Sequence, residues 1–141
     1  MRMARSFPVG LSLVLMACHS APIEPGRGRV VGTIDAGGTL DRVIEAPSAV
    51  SPGQSFTVTV STFGNSCVTP AGADVAIDGL IATITPYDVI AGGICLDYLK
   101  PYPRALQLSF GQAGAAIIRV KGASFYQSGL VTVERSLVVS H

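Results

Sequence analysis

Between Ser55 and Phe63 the chain reads SFTVTVSTF, and this alternation constrains the fold more than any other stretch. Phe56, Val58 and Val60 share one side of an extended backbone; Thr57, Thr59 and Ser61 share the other. Side chains in a strand repeat every second residue, so one apolar row predicts a strand half-buried against a core. Similar short segments recur. RVVGTID (29–35) and LDRVIEAP (40–47) read as strands flanking a Gly37-Gly38 turn, and PGQ (52–54) reads as a turn. DVAIDGLIATITP (74–86) reads as a hairpin. Its Asp78-Gly79 suits a two-residue type I′ turn, in which both residues take positive φ. That turn pairs Ile77 with Leu80, Val75 with Ala82 and Ala73 with Ile84, and Pro86 ends the second strand. ALQLSF (105–110), AAIIRVKG (115–122) and LVTVERSLVVS (130–140) complete the set. Arg135 shares its parity with Val131, Val133, Leu137 and Val139, which implies a bulge near Glu134 or a strand that leaves the core there. About eight strands spaced by 8–12 residues, with no long helical period, predict an all-β, antiparallel β-sandwich.

The amino-terminal residues follow a different logic. Arg2 and Arg5 precede an uncharged apolar run over 7–17 that ends on the small Ala17. A basic start, a run of this length and a small residue before the cut describe an export signal. The run falls short of the roughly 20 apolar residues a spanning helix needs. Leu15-Met16-Ala17-Cys18 resembles the lipobox of bacterial lipoproteins, in particular small ones with a single β-sandwich domain. The resemblance implies a diacylglycerol on the Cys18 sulfur, cleavage before Cys18 and a fatty acyl chain such as palmitate on the new amine. A plain export signal with a cysteine there by chance is the alternative. Two or more acyl chains hold a protein firmly where one is marginal. Residues 1–17 are then the signal peptide and 18–29, CHSAPIEPGRGR, a flexible tether that reaches at most about 35–40 Å. Residues 30–141 are the β-sandwich domain. The domain would lie outside the cytoplasm on the cell membrane or outer membrane; His19 in place of aspartate after the cysteine favours the outer one.

Export also gives Cys67 and Cys95 a role. They are the pair left once Cys18 is lipidated, and an oxidising compartment favours their disulfide. A metal site at these cysteines would lack both a CxxC spacing and a nearby histidine. PSAVSPGQSFTVTV resembles the A–B strands of immunoglobulin-like domains, and GAAIIRVKG one of their late strands. The resemblance spans roughly residues 40–140 and implies an antiparallel immunoglobulin-like β-sandwich with one disulfide. The chain has no Trp, so the buried Trp of that family is missing, and the cysteine pair would bracket the middle hairpin instead of joining the usual strands.

Few residues suit catalysis. Removal of the signal leaves His19 and His141, one near each end, and the chain holds no GxSxG, HExxH or phosphate-cradling loop. No cofactor and no metal are expected. Asp74, Asp78, Asp88 and Asp97 could in principle form a hydrolytic pair or a calcium site, but they read more simply as solvated and turn acids. Ten basic and nine acidic residues, with Arg2 and Arg5 lost in the signal, exclude a basic nucleic-acid footprint. TPYDVIAGGICLDYLKPYPRA (85–105) concentrates Tyr87, Tyr98, Lys100, Tyr102 and Arg104. These residues either form a stapled binding loop, since tyrosine and arginine favour contact surfaces, or cover the open end of the sandwich. SFYQSG (124–129) adds Phe125 and Tyr126 in a second loop. The expected function is a lipid-anchored envelope module with a binding or structural role and no catalysis, its partner an envelope protein or saccharide besides the membrane itself. The alternative is a periplasmic protease inhibitor, with Lys100 or Arg104 as anchors, or another loop-mediated ligand binder. Strand addition to an exposed edge is a third route.

Overall fold

A computed structural model describes residues 28–141; the signal, Cys18, His19 and almost all of the tether lie outside the described residues. Within them the chain forms ten strands: β1 (Arg29–Val31), β2 (Thr33–Asp35), β3 (Ile44–Glu45), β4 (Ala49–Val50), β5 (Phe56–Gly64), β6 (Val68–Asp78), β7 (Ile81–Ile90), β8 (Lys100–Leu108), β9 (Gly114–Ser124) and β10 (Leu130–Val139). One turn of 3-10 helix, Leu40–Arg42, stands where a strand was expected, leaving only β3 from the 40–47 segment. The fold is all-β. A large sheet runs β6-β7-β9-β10-β4, with β1 also on β7 and β2 also on β9; a small sheet runs β3-β5-β8.

Alternation explains the core. Val58 and Val60 of β5 and Leu108 of β8 are buried beside Ala82 and Ile84 of β7, Ile118 and Val120 of β9, and Leu137 and Val139 of β10. The two sheets thus close over a single cluster. Burial of each large aliphatic side chain stabilises by about 1.5–3 kcal/mol.

The sheets are not wholly antiparallel. β7 and β9 run parallel, from Ile81 opposite Ile117 to Ile84 opposite Val120. Beyond that point the amino-terminal strands occupy the space between them. β1 lies antiparallel on β7 and β2 parallel on β9. Gly32 joins β1 to β2 and bonds to both sides: its N–H donates to Pro86 O, and its carbonyl accepts from Ala123 N. Pro86 therefore does not end its strand. It sits where β7 exchanges β9 for β1, opposite an irregular stretch of β6 between Pro70 and Ala73, and the strand continues to Ile90.

The β6–β7 hairpin turns one residue later than expected. Asp78 pairs with Ile81, Ile77 with Ala82 and Val75 with Ile84. The loop is Gly79-Leu80. Gly79 has φ +57 and, among the described residues, no non-glycine residue has positive φ, which fits a type II′ turn with glycine first. A type I′ turn would have forced Asp78 itself into that region. The later turn also leaves Leu80 free to pack on the core. β10 pairs with β9 without a bulge from Leu130 to Val139. Neither expectation for Arg135 holds: Val131 and Val133 on one side and Leu137 and Val139 on the other all pack on the core, and Arg135 is exposed between them at the margin of the small sheet, its guanidinium donating to Ile44 O at 3.4 Å.

β8 is an edge strand carrying Pro101 and Pro103. Ser61 N–H donates to Val43 O on the β3 side, so Ser61–Pro103 and Phe63–Pro101 are non-hydrogen-bonded pairs. Both proline nitrogens face the free edge, the position where a strand tolerates proline.

Gly32 has no space for a side chain: a Cβ there would overlap Thr62 Cγ2 and lie 2.8 Å from Asp88 Oδ2. Gly32→Ala should lower the unfolding free energy by about 1–3 kcal/mol. Gly92→Ala, in open space, should stay within about 0.5 kcal/mol of the parent. Urea unfolding of both variants measures the difference, and equal midpoints would refute the packing assigned to Gly32.

Candidate functional site

Strand directions gather three loops at one end of the domain. Gly64 closes β5 opposite Lys100, which opens β8. Ile90 closes β7 opposite Val68, which opens β6. Arg29 opens β1 opposite Val89. β9 runs parallel to β7 and closes at the same end, at Ser124. Residues 65–67, 91–99 and 125–129 and the first described residue, Gly28, therefore lie together, while Val139 and the Gly79-Leu80 turn lie at the opposite end.

The Cys67–Cys95 disulfide, with Cα atoms 5.4 Å apart, ties the longest of these loops to the start of β6. Hydrogen bonds reinforce it. Leu96 N–H donates to Ser66 Oγ at 2.7 Å, and Ala91 N–H donates to Cys67 O at 2.9 Å. Tyr102 Oη donates to Asn65 O. The loop 125–129 faces the stapled one. Phe125 lines a cavity of about 110 Å³ with Val30, Phe63, Val68 and Ile90. It also lines a shallower one of about 280 Å³ with Asn65, Asp97, Tyr98 and Leu99. The two loops thus share one groove, a proximity that sequence could not establish.

Directly below, a charged cluster crosses between the sheets. Arg104 of β8 and Asp88 of β7 form an ion pair at 2.6 Å, with side chains only 7% and 4% exposed. Thr62 of β5 donates to Asp88 Oδ1 at 3.1 Å and accepts from Arg104. The other guanidinium nitrogen donates to Gly72 O at 2.9 Å, in β6, and to Tyr87 O. Arg104 Nε is buried without a partner among the described residues. Desolvating two such charges costs several kcal/mol each, which their attraction offsets only with good geometry and further hydrogen bonds. Partners on three strands, β5, β6 and β7, supply those bonds here.

This arrangement divides the sequence candidates. Tyr98 and Lys100 are exposed at the loop end, and Lys100 Nζ lies 5.4 Å from the Tyr102 ring centre. Burial first, then repulsion of its phenolate by an ionised Tyr98 phenol and by the Asp88 carboxylate, raises the Tyr102 phenol above its ordinary value. Arg104 is corrected from loop residue to core residue. The loop between β7 and β8 is only 91–99, because β8 already begins at Lys100. Tyr87 is separate as well, on the outward parity of β7 beside Arg29, whose guanidinium lies 4.1 Å from its ring centre. A hydrogen bond to Asp74 raises its phenol. Asp88, expected in a turn, is a buried strand residue. One signal could have found the cluster: Asp88 continues the inward row of Ala82, Ile84 and Pro86, and Arg104 that of Leu106 and Leu108.

Asp88→Asn or Arg104→Met alone should cost about 3–5 kcal/mol, because each leaves a buried charge unpaired or under-bonded. Asp88→Leu with Arg104→Met should cost less than the sum of its single changes, and a double-mutant cycle in urea measures the coupling. Zero coupling would remove the cluster's role. Replacing both Cys67 and Cys95 by alanine should cost about 2–4 kcal/mol in the same assay.

No protein-family model matches the chain, and neither a curated protein nor a solved structure is significantly similar to it.

Proposed function

We propose that the protein is a lipid-anchored, non-catalytic module of the bacterial cell envelope, held through Cys18 and serving a binding or structural role with its loop end. The observation that carries this reading is the Cys67–Cys95 disulfide. Disulfides persist in exported proteins and are rare in the cytosol, which agrees with the export signal and lipobox at the amino terminus. The stapled loop and its partner loop supply a fixed surface of the kind on which rigid scaffolds place binding residues. Asp88 and Arg104 neutralise one another and so act as framework, not as a free acid and base. Their burial also leaves Lys100 alone of the two anchors that a protease-inhibitor reading would use. An immunoglobulin-like β-sandwich is the finer part of the proposal. Its support is the pair of sheets closed over one core, with β4 leading into β5 where the resemblance puts the A and B strands. The parallel β7–β9 pair is its departure from an all-antiparallel arrangement.

Expression of the full chain in a bacterium with two membranes, with labelled palmitate in the medium, tests the reading. The mature protein should begin at Cys18, carry label and float with membranes; Cys18→Ser should abolish the label. An unlabelled cytosolic chain with reactive thiols at Cys67 and Cys95 would overturn it.

A further inference from the structure

The loop end is more apolar than a solvated surface needs to be. Ile94 is fully exposed, and Leu96, Leu99, Phe125 and Tyr126 are each more than half exposed. Tyr98 adds a sixth large side chain. They come from two short loops that share the groove lined by Tyr98, Leu99 and Phe125. Contiguous apolar exposure of this kind marks a protein or membrane contact. Charge is sparse: Asp97 is the one charged residue in 91–99, 125–130 has none, and Lys100 stands at the margin where β8 begins.

We propose that this end of the domain rests in the membrane interface, with Ile94, Leu96, Leu99 and Phe125 among the acyl chains next to the headgroups. This rests on the anchored reading and adds an orientation to it. The position of the tether argues for lipid over other occupants. Gly28 emerges at this end, and Cys18 is ten residues earlier, a reach of at most about 33–36 Å. β7 alone, ten residues, is about 33 Å long. To turn the opposite end toward the bilayer the tether would have to run taut along the whole domain. With the loop end down it can stay slack. Insertion is shallow, because irregular backbone does not enter hydrocarbon, and about 5–10 Å suffices to bury apolar side chains at the headgroup boundary. Tyr98 and Tyr126, with an apolar ring and a polar tip, suit that depth. Lys100 and Asp97 offset one another at this end, so the contact does not depend on anionic lipid.

The chain contains no Trp, so a single Trp reports cleanly. Ile94→Trp, and Gln112→Trp at the opposite end, are placed in the full chain on phosphatidylcholine vesicles brominated at shallow or deep acyl positions. Mass spectrometry first reads the acyl groups on Cys18. If they are absent, the anchored reading fails, and the Cys18 thiol is coupled to a maleimide lipid so that the orientation is still tested. The Ile94→Trp emission should be quenched at least about twofold, more by shallow than by deep bromines, with no change on addition of salt. The Gln112→Trp emission should be unaffected. Equal quenching of the two probes would overturn the proposal. So would a blue shift of the Ile94→Trp emission that grows with protein concentration without lipid, which would assign the surface to a second copy.

Discussion

The Arg104–Asp88 ion pair is the interaction on which the rest of the molecule depends. It joins β8 of the small sheet to β7 of the large one, and its hydrogen bonds extend to Thr62 of β5 and Gly72 of β6. A hydrophobic pair could fill the same volume at similar or lower cost. Geometry distinguishes the ionic version. A planar guanidinium accepts only certain partner positions, so it fixes how β6, β7 and β8 sit relative to one another beneath the loops. The disulfide then holds 91–99 to a base already set by those strands.

The same cluster connects to the parallel fork. Asp88 and Thr62 flank the place where Gly32 lies, and a side chain there would displace them. Gly122 is equally confined on the far side: a Cβ would come 2.8 Å from Gly32 O. The two glycines allow the β1–β2 segment to lie between β7 and β9 where their own pairing stops. A parallel pair that diverges leaves backbone groups unmatched in the interior, and buried amides need partners. Gly32, bonded to Pro86 on one side and Ala123 on the other, supplies two of them.

Strand content was legible because it depends on local alternation. β5, β7, β9 and β10 all fall where apolar residues recur at every second position. The hairpin was recognised but turned one residue early, since Asp-Gly fits type I′ by composition and only the packing of Leu80 selects the later turn. Strand partners were not legible. The pairing of β7 with β9 in parallel, and the entry of β1 between them, depend on contacts far apart in sequence. The site shows the same division. The cysteine pair and the Tyr-rich stretch stand out, whereas Arg104 reads as a binding-loop residue because arginine joins tyrosine at contact surfaces. Its parity with Leu106 and Leu108 carried the opposite message. Phe125 could join Tyr98 only once the parallel pair had brought the ends of β7 and β9 together.

The prolines of β8 have a consequence for crowded copies of the chain. At Pro101 and Pro103 the outer rim of the small sheet has carbonyl acceptors but lacks the donors that a docking strand would require. A neighbouring molecule laid against it would lose two bonds in succession. Crowded copies meet side by side continually, and this rim denies them a continuous ladder of the kind from which fibres grow.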